Sequence, residues 1–225
     1  MNIKIIGLGG IGSILVERLC KFLNYSQVDT NFNVTLIDGD EYEDKNLERQ
    51  EFTRLGDKAE IKASELKVKY LNLMFDYVID YINTDTISGV IKEKDIIFLC
   101  VDNHKTRMVV SNYCKTLNDI ILFSGGNELT DGNVQIFIRK GGVDLTPDLC
   151  AYHPEIENPS DKSPDEMSCE ELSKSEPQLY FTNLSVATIM CWAYYNVVVQ
   201  QNIKASEIYF DMSIMSVDAK TRIVK

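Results

Sequence analysis

Glycines at positions 7, 9 and 12 follow the short apolar run Ile3 to Ile6, and Asp38 closes a second apolar run, Asn33 to Ile37. A strand that ends in G-x-G-x-x-G and opens a helix points that helix's first amides at a phosphate. The glycines let the chain turn, let the backbone approach the phosphate and let helix pack on strand. Gly10 is a fourth glycine in the same turn. An acidic residue at the end of the second strand can accept two hydrogen bonds from a ribose diol, the chemistry expected of Asp38. The pattern is that of nucleotide binding, and by itself leaves open which nucleotide.

Two further groups could do chemistry. Asp102-Asn103 follows the run Ile96 to Val101, at a strand end where open sheets of this type gather ligands. Cys150 and His153 have the spacing of a nucleophile and a base, while Cys169 precedes a long apolar stretch. Glu166, Glu170 and Glu171 around Cys169 raise a thiol's pKa, and a helix N-terminus there would offset part of that effect.

These residues need a scaffold, and the periodicity supplies one. Ile14, Leu15, Leu19, Phe22 and Leu23 share a helical face after Gly12, so strand, helix and the strand Asn33 to Ile37 form one βαβ unit. After a charged segment from Asp44 to Arg54, the spacing predicts a helix over Glu60 to Phe75 and strands over Tyr77 to Ile82 and Asp95 to Val101. A helix over Thr106 to Leu117 follows, then a strand from Ile120 to Phe123 ending at Ser124-Gly125-Gly126. This alternation predicts an α/β fold, a Rossmann-like doubly wound sheet that is parallel in its first half. Asn133 to Arg139 follows the turn Asp131-Gly132 too closely for a crossover, so the C-terminal half is expected to add antiparallel strands. A single domain over 1–225 is expected, with an irregular crossover at about 140–177. Leu179 to Val199 reads as a buried helix, and Ile208 to Ser216 with Thr221 to Val224 as a terminal hairpin about Asp218-Ala219-Lys220.

Composition excludes several classes. A net charge of -11 is the wrong sign for a phosphate-backbone binder, so no nucleic-acid partner is expected. Cysteines 20, 100, 114, 150, 169 and 191 form no C-x-x-C pair, which argues against a zinc site and against a secreted disulfide framework. No apolar run approaches membrane-spanning length and no leader precedes the first strand, so a soluble cytoplasmic protein without a membrane partner is expected.

The ordered series of the glycine turn, Asp38-Gly39-Asp40, Asn46-Leu47-Glu48-Arg49-Gln50, Lys62-Ala63, and Asp102-Asn103 with Arg107 resembles the ThiF/MoeB/HesA family. That family includes the adenylation domains of ubiquitin-activating enzymes, and the resemblance covers residues 3 to about 138. It implies ATP-dependent adenylation of the C-terminal carboxylate of a small ubiquitin-like or sulfur-carrier protein, or a peptide, with release of pyrophosphate. Carboxylate attack on an α-phosphate brings anions together, so positive charge must be arranged in advance, and Arg49 and Lys62 can supply it. By similarity, Asn46 and Arg49 hold phosphates, Asp40 and Gln50 also bind the nucleotide, Lys62 meets the β and γ phosphates, and Asp102 holds Mg²⁺. Arg107 is assigned to support. Met167-Ser168-Cys169-Glu170-Glu171 is similar to compact prokaryotic ThiF proteins, which makes Cys169 the preferred thiol for a thioester, with Cys150 as its rival.

The resemblance also implies a homodimer whose helix ahead of the first strand lends an arginine to the partner's ATP site. Here two residues precede the first strand, so either another residue replaces that arginine, or a partner chain supplies it, or activity is reduced. Two other functions compete. One is an NAD-dependent oxidoreductase, with His104 as its candidate base; the other is a non-catalytic module binding a ubiquitin-like protein.

Overall fold

The computed structural model describes residues 1–26, 31–47, 50–162, 164–166 and 179–224. Five parallel strands form its centre: β1 (Asn2–Ile6), β2 (Phe32–Ile37), β5 (Leu73–Val78), β6 (Ile96–Leu99) and β7 (Ile120–Asn127), in the order β5-β2-β1-β6-β7. The order reverses between β1 and β6, and their C-terminal ends flank the crevice where a doubly wound sheet binds its ligand. β8 (Asp131–Lys140) turns back antiparallel on β7, and β10 (Glu207–Asp211) and β11 (Ser216–Lys220) extend the sheet antiparallel. A two-residue strand, β9 (Val143–Asp144), pairs with β8, while β3 (Glu41–Tyr42) and β4 (Gly56–Asp57) form a small separate pair. The sequence expectation of a doubly wound sheet with an antiparallel C-terminal half is what the structure has.

Strands covered on both faces must be apolar, and β6 is so at every position while β1 carries Asn2 and Lys4 only in the half away from the crevice. Ile3, Ile5, Val34, Leu36 and Phe98 face a layer built from α1 (Gly10–Tyr25), α2 (Lys58–Lys69) and α6 (Tyr180–Tyr194). Ile6, Ile37, Ile97 and Leu99 face the opposite layer of α3 (Ile87–Val90), α4 (His104–Cys114) and α5 (Pro154–Glu157). Each such side chain contributes roughly 1.5–3 kcal/mol by leaving water. Among the described residues no helix is long and apolar enough to cross a membrane.

Four element boundaries differ from expectation. The helix expected to reach Phe75 ends at Lys69, and β5 begins at Leu73 rather than Tyr77. Leu73 and Phe75 are buried while Met74 and Asp76 are exposed, so the period there is two and not 3.6. β7 runs through its glycines to Asn127, because they admit neighbours rather than end the strand: a Cβ on Gly125 would lie 2.5 Å from the Met190 sulfur. The terminal hairpin turns at 212–215, leaving Asp218-Ala219-Lys220 inside β11. Asp211 Oδ1 accepts from Ser213 N at 2.9 Å and Ser213 Oγ at 2.6 Å, the side-chain turn that directs the chain there.

Candidate active site

The glycines divide into two kinds. Gly7 has φ +87°, and a Cβ there would sit 2.9 Å from the Cys100 carbonyl oxygen; on Gly12 it would lie 1.9 Å from Gly7 O. These two let α1 close onto β1. A Cβ on Gly9 would meet nothing within 4 Å, so that glycine leaves open space at the mouth of the helix. Ser13 N bonds Gly9 O at 3.1 Å, which closes the first helical turn and leaves the amides of Gly10, Ile11 and Gly12 directed outward.

Asp38 ties this turn to the end of β2. Its Oδ2 accepts from Leu8 N at 2.5 Å and its Oδ1 from Asp40 N at 2.8 Å, so one lone pair on each oxygen remains for a ligand. Burial pushes its pKa up to about 6, assisted by the like charge of Asp40 and opposed by Lys58 and the two amides. Asp40 in turn holds the Lys58 ammonium at 3.0 Å and accepts from the Tyr81 hydroxyl. Burial would raise the Asp40 pKa, but Lys58 and Tyr81 outweigh it and hold the carboxyl below its usual value. The Tyr81 ring lies across Gly39, where a Cβ would approach it to 2.9 Å.

The lysine that reaches this site is Lys58. It opens α2, its amide bonds Asp40 O at 3.0 Å, and the β3–β4 pairing pins that first turn beside Asp40. Lys62, one turn further along, is turned away: its ammonium donates to Glu51 O and to Glu65 Oε2, both at 2.7 Å. Lys62 was expected at the phosphates, and the structure does not bring it to the cavity wall. Position in the chain held the clue, since only the first turn of a helix borders the strand ends. Asn46 is buried and its Oδ1 accepts from Glu43 N at 2.9 Å, closing the turn Asp44–Asn46. Gln50 does line the cavity, and its buried Oε1 has no partner among the described residues. Arg49 lies outside the described residues, as does Cys169.

Asp102 sits exposed between β6 and α4 on the cavity wall. Asn103 caps α4, accepting from Thr106 N at 2.7 Å, while its own Nδ2 and the Thr106 hydroxyl are buried without a partner among the described residues, and both residues border the cavity. Arg107 is buried as expected of a support: it donates to Ser124 Oγ at 2.6 Å, Val101 O at 2.5 Å and Gly125 O at 2.8 Å, joining the ends of β6 and β7. Burial lowers its pKa. His104 also borders the cavity, with its amide on Asp161 Oδ2 at 2.5 Å.

Cys150 and His153 do not form a nucleophile–base pair. The His153 ring bonds Glu155 Oε1 through Nδ1 at 2.7 Å and Glu207 Oε1 through Nε2. Burial, the largest influence, lowers its pKa, yet the hydrogen bonds it makes to both carboxylates raise it overall. The described thiols of Cys20, Cys100, Cys114, Cys150 and Cys191 all have pKa values raised, chiefly by burial.

One cavity of about 660 Å³ takes in the glycine turn, Asp38, Lys58 and Asp102, then continues over β8, β10 and β11. That is the size of a small-molecule site. Among the described residues no cluster of three or more His, Cys, Asp or Glu is arranged to hold a metal.

A parallel sheet with its order reversed at β1, a glycine turn at that point and polar groups gathered at the strand ends define a doubly wound α/β protein of the Rossmann type. The chain belongs to the ThiF family, which it matches over residues 1–224. It is 29% identical to a probable molybdopterin-synthase adenylyltransferase of Porphyra purpurea over 167 residues, covering 71% of this chain and 41% of that protein. With ubiquitin-like modifier-activating enzyme 5 of Gallus gallus it shares 25% identity over 153 residues, covering 61% of this chain and 37% of that protein. The fold superposes on the structure of E. coli MccB with ATP at a TM-score of 0.74 and 17% identity, over 98% of this chain and 63% of that one. An MccB complex with AMPCPP and MccA gives the same TM-score at 16% identity. The chain thus spans about two-fifths of the curated relatives' length.

Proposed function

We propose that this protein adenylates the C-terminal carboxylate of a small ubiquitin-like or sulfur-carrier protein, or of a peptide, with ATP. The observation that carries this reading is the single cavity joining the glycine turn, Asp38 and Lys58 to the open sheet face beyond them. One compartment then holds a nucleotide at its inner end and an acceptor tail at its outer end.

The residues present fit ATP. The open space at Gly9 admits a phosphate against the α1 amides, and the unpartnered Gln50, Asn103 and Thr106 atoms are buried polar groups that a ligand would satisfy. The remaining lone pairs of Asp38 are those a ribose diol needs. Lys58 releases Asp40 and carries the positive charge for the triphosphate, a role that passes to it from Lys62. Arg49 stands as a second cation. In the reaction a carboxylate oxygen bonds to the α-phosphorus, the bond to the bridging oxygen breaks, and pyrophosphate departs against this charge. Mg²⁺ bound with the nucleotide supplies further charge neutralisation. Asp102, exposed on the cavity wall, is the carboxylate that would hold it.

Because burial suppresses the five described thiols, Cys169 is the thiol we infer for any thioester step; a reducible adduct lost in Cys169→Ala but kept in Cys150→Ala tests this. Exchange of labelled pyrophosphate into ATP, in the presence of peptides with a free C-terminal carboxylate, tests the adenylation itself. Exchange that survives both Lys58→Ala and Asp102→Ala would sink the proposed site.

A further inference from the structure

The outer half of the cavity has a floor whose composition is set by strand register. Pairing places Asp131 opposite Asp211 and Asp211 opposite Ser216; one step along, Asn133, Tyr209 and Asp218 align, and then Gln135, Glu207 and Lys220. Residues two apart along a strand share a face, so these nine form a three-by-three patch. The alternate residues Val134, Ile136 and Phe210 are buried in the helix-covered core on the other side. The patch therefore faces the cavity, and Asp131, Asn133, Gln135, Tyr209, Asp211, Ser216 and Asp218 all line it.

Its charges divide into those with a charged or aromatic partner and those without an ion-pair partner among the described residues, Asp211 being hydrogen-bonded to Ser213 alongside. Glu207 is committed to His153 and to Arg222 Nε at 2.9 Å, and the Lys220 ammonium lies 4.8 Å from the centre of the Tyr209 ring. Among the described residues no cation lies within ion-pair distance of Asp131, Asp211 or Asp218. Carboxylates directly opposite across an antiparallel pair repel, as Asp131 and Asp211 must, and a cation resting between them removes that cost. The chain's own segment 167–178 carries three glutamates and one lysine, the wrong sign to cover such a floor.

We propose that this face selects its acceptor by charge: the tail laid across it carries lysine or arginine just upstream of the C-terminal carboxylate. The proposal rests on the adenylation reading, which requires a tail to enter here. From β8 to β11 is two strand spacings, about 10 Å, so three extended residues cross the patch. A basic tail also keeps the acidic floor compatible with a carboxylate destination beside a triphosphate.

Two seven-residue peptides with free C-termini test it, identical except for lysine or glutamate at the third and fifth positions from the end. Fluorescence anisotropy against the full chain should show the lysine peptide binding about tenfold tighter at low salt, with the gap closing toward ~0.5 M salt. The double variant Asp131→Asn/Asp218→Asn should shrink the gap to about twofold while ATP affinity is unchanged. Equal binding, absent binding, a preference for glutamate, or a lysine preference that persists in the double variant would each overturn the proposal. So would displacement of the lysine peptide by a synthetic 167–178 peptide, which would mark the chain itself as occupant. Pyrophosphate exchange with the lysine peptide is read separately. Charge-selective binding without exchange would reject adenylation and leave the charge selection standing.

Discussion

The two ends of the cavity hold their carboxylates in opposite ways. At the inner end both oxygens of Asp38 accept backbone amides, and Asp40 is bound by Lys58 and Tyr81. At the outer end Asp131 and Asp218 are exposed and without a cationic partner among the described residues. A ligand of fixed shape is best met by groups immobilised before it arrives, whereas a variable tail is met by charges left in water until it does. The inner end should therefore respond to single substitutions with large losses, and the outer end with small, salt-dependent ones.

The sharpest break in this contrast is at Lys58. Lys58→Ala should lower pyrophosphate exchange by ~10²–10³-fold, the scale of losing one preorganised charge at a reacting centre. Lys62→Ala should instead lower the melting temperature, because Glu65 loses its buried partner at 2.7 Å, and leave exchange within about threefold. If the two effects exchange places, the phosphate cation is Lys62 after all.

The glycines separate folding from binding. Gly12→Ala forces a Cβ into the Gly7 carbonyl and should destabilise the chain by about 3 kcal/mol or abolish its folding. Gly9 has φ -69°, which alanine adopts freely, and open space around it. Gly9→Ala should keep its melting temperature and lose about tenfold in ATP affinity by calorimetry, as one methyl enters the phosphate space. A stable Gly12→Ala, or unchanged ATP binding in Gly9→Ala, would break the division.

Asp38 makes the inner end sensitive to pH. Its folded pKa is raised, so its contribution to stability is complete below its ordinary value of 3.8 and is lost as pH rises through about 6. That amounts to ~3 kcal/mol surrendered to keep this carboxylate charged at neutral pH. ATP affinity should move the other way, weakening as pH falls through 6 with a slope of up to about tenfold per unit. Titrations across this range should lose that slope in Asp38→Asn; a wild-type affinity flat from pH 5 to 7.5 would show that Asp38 does not meet the ribose.

The same contrast governs what could be read from the sequence. The glycine turn, Asp38 and the alternation of strand and helix are local patterns, each set by a few neighbouring residues, and the structure places them together. Lys58 and Lys62 lie four residues apart on one helical face, and which of them borders the cavity depends on the β3–β4 pairing that fixes the start of α2. The outer floor was illegible for a stronger reason. Asp131 and Asp211 are eighty residues apart and meet only through register, and that register depends on a turn at 212–215 that Asp211 and Ser213 create. An Asp-Ala-Lys sequence looks like a better turn than the one used, yet Asp218 is inside the strand because the Asp211 side chain turns the chain first.

The smallest expected effect concerns Glu207. Burial would raise its pKa, but hydrogen bonds from His153, Tyr209 and Arg222 hold it down to about 2, so its contribution is present above 4.5 and fades as pH falls toward 2. The His153 partner works in the opposite sense, its raised pKa adding stability that is complete below 6.5 and fades above its folded value. Glu207→Gln should cost about 1–2 kcal/mol in denaturant unfolding at neutral pH and leave the preference for a lysine peptide intact. The hairpin and its tail do possess cations, Lys220 and Arg222, but these are occupied by the Tyr209 ring and by Glu207. If Glu207→Gln frees Arg222 to neutralise Asp218 and the lysine preference disappears, then the bare charge of the floor is maintained by this cluster. The two ends of the cavity would then differ less in design than in how far from the ligand their fixed bonds are made.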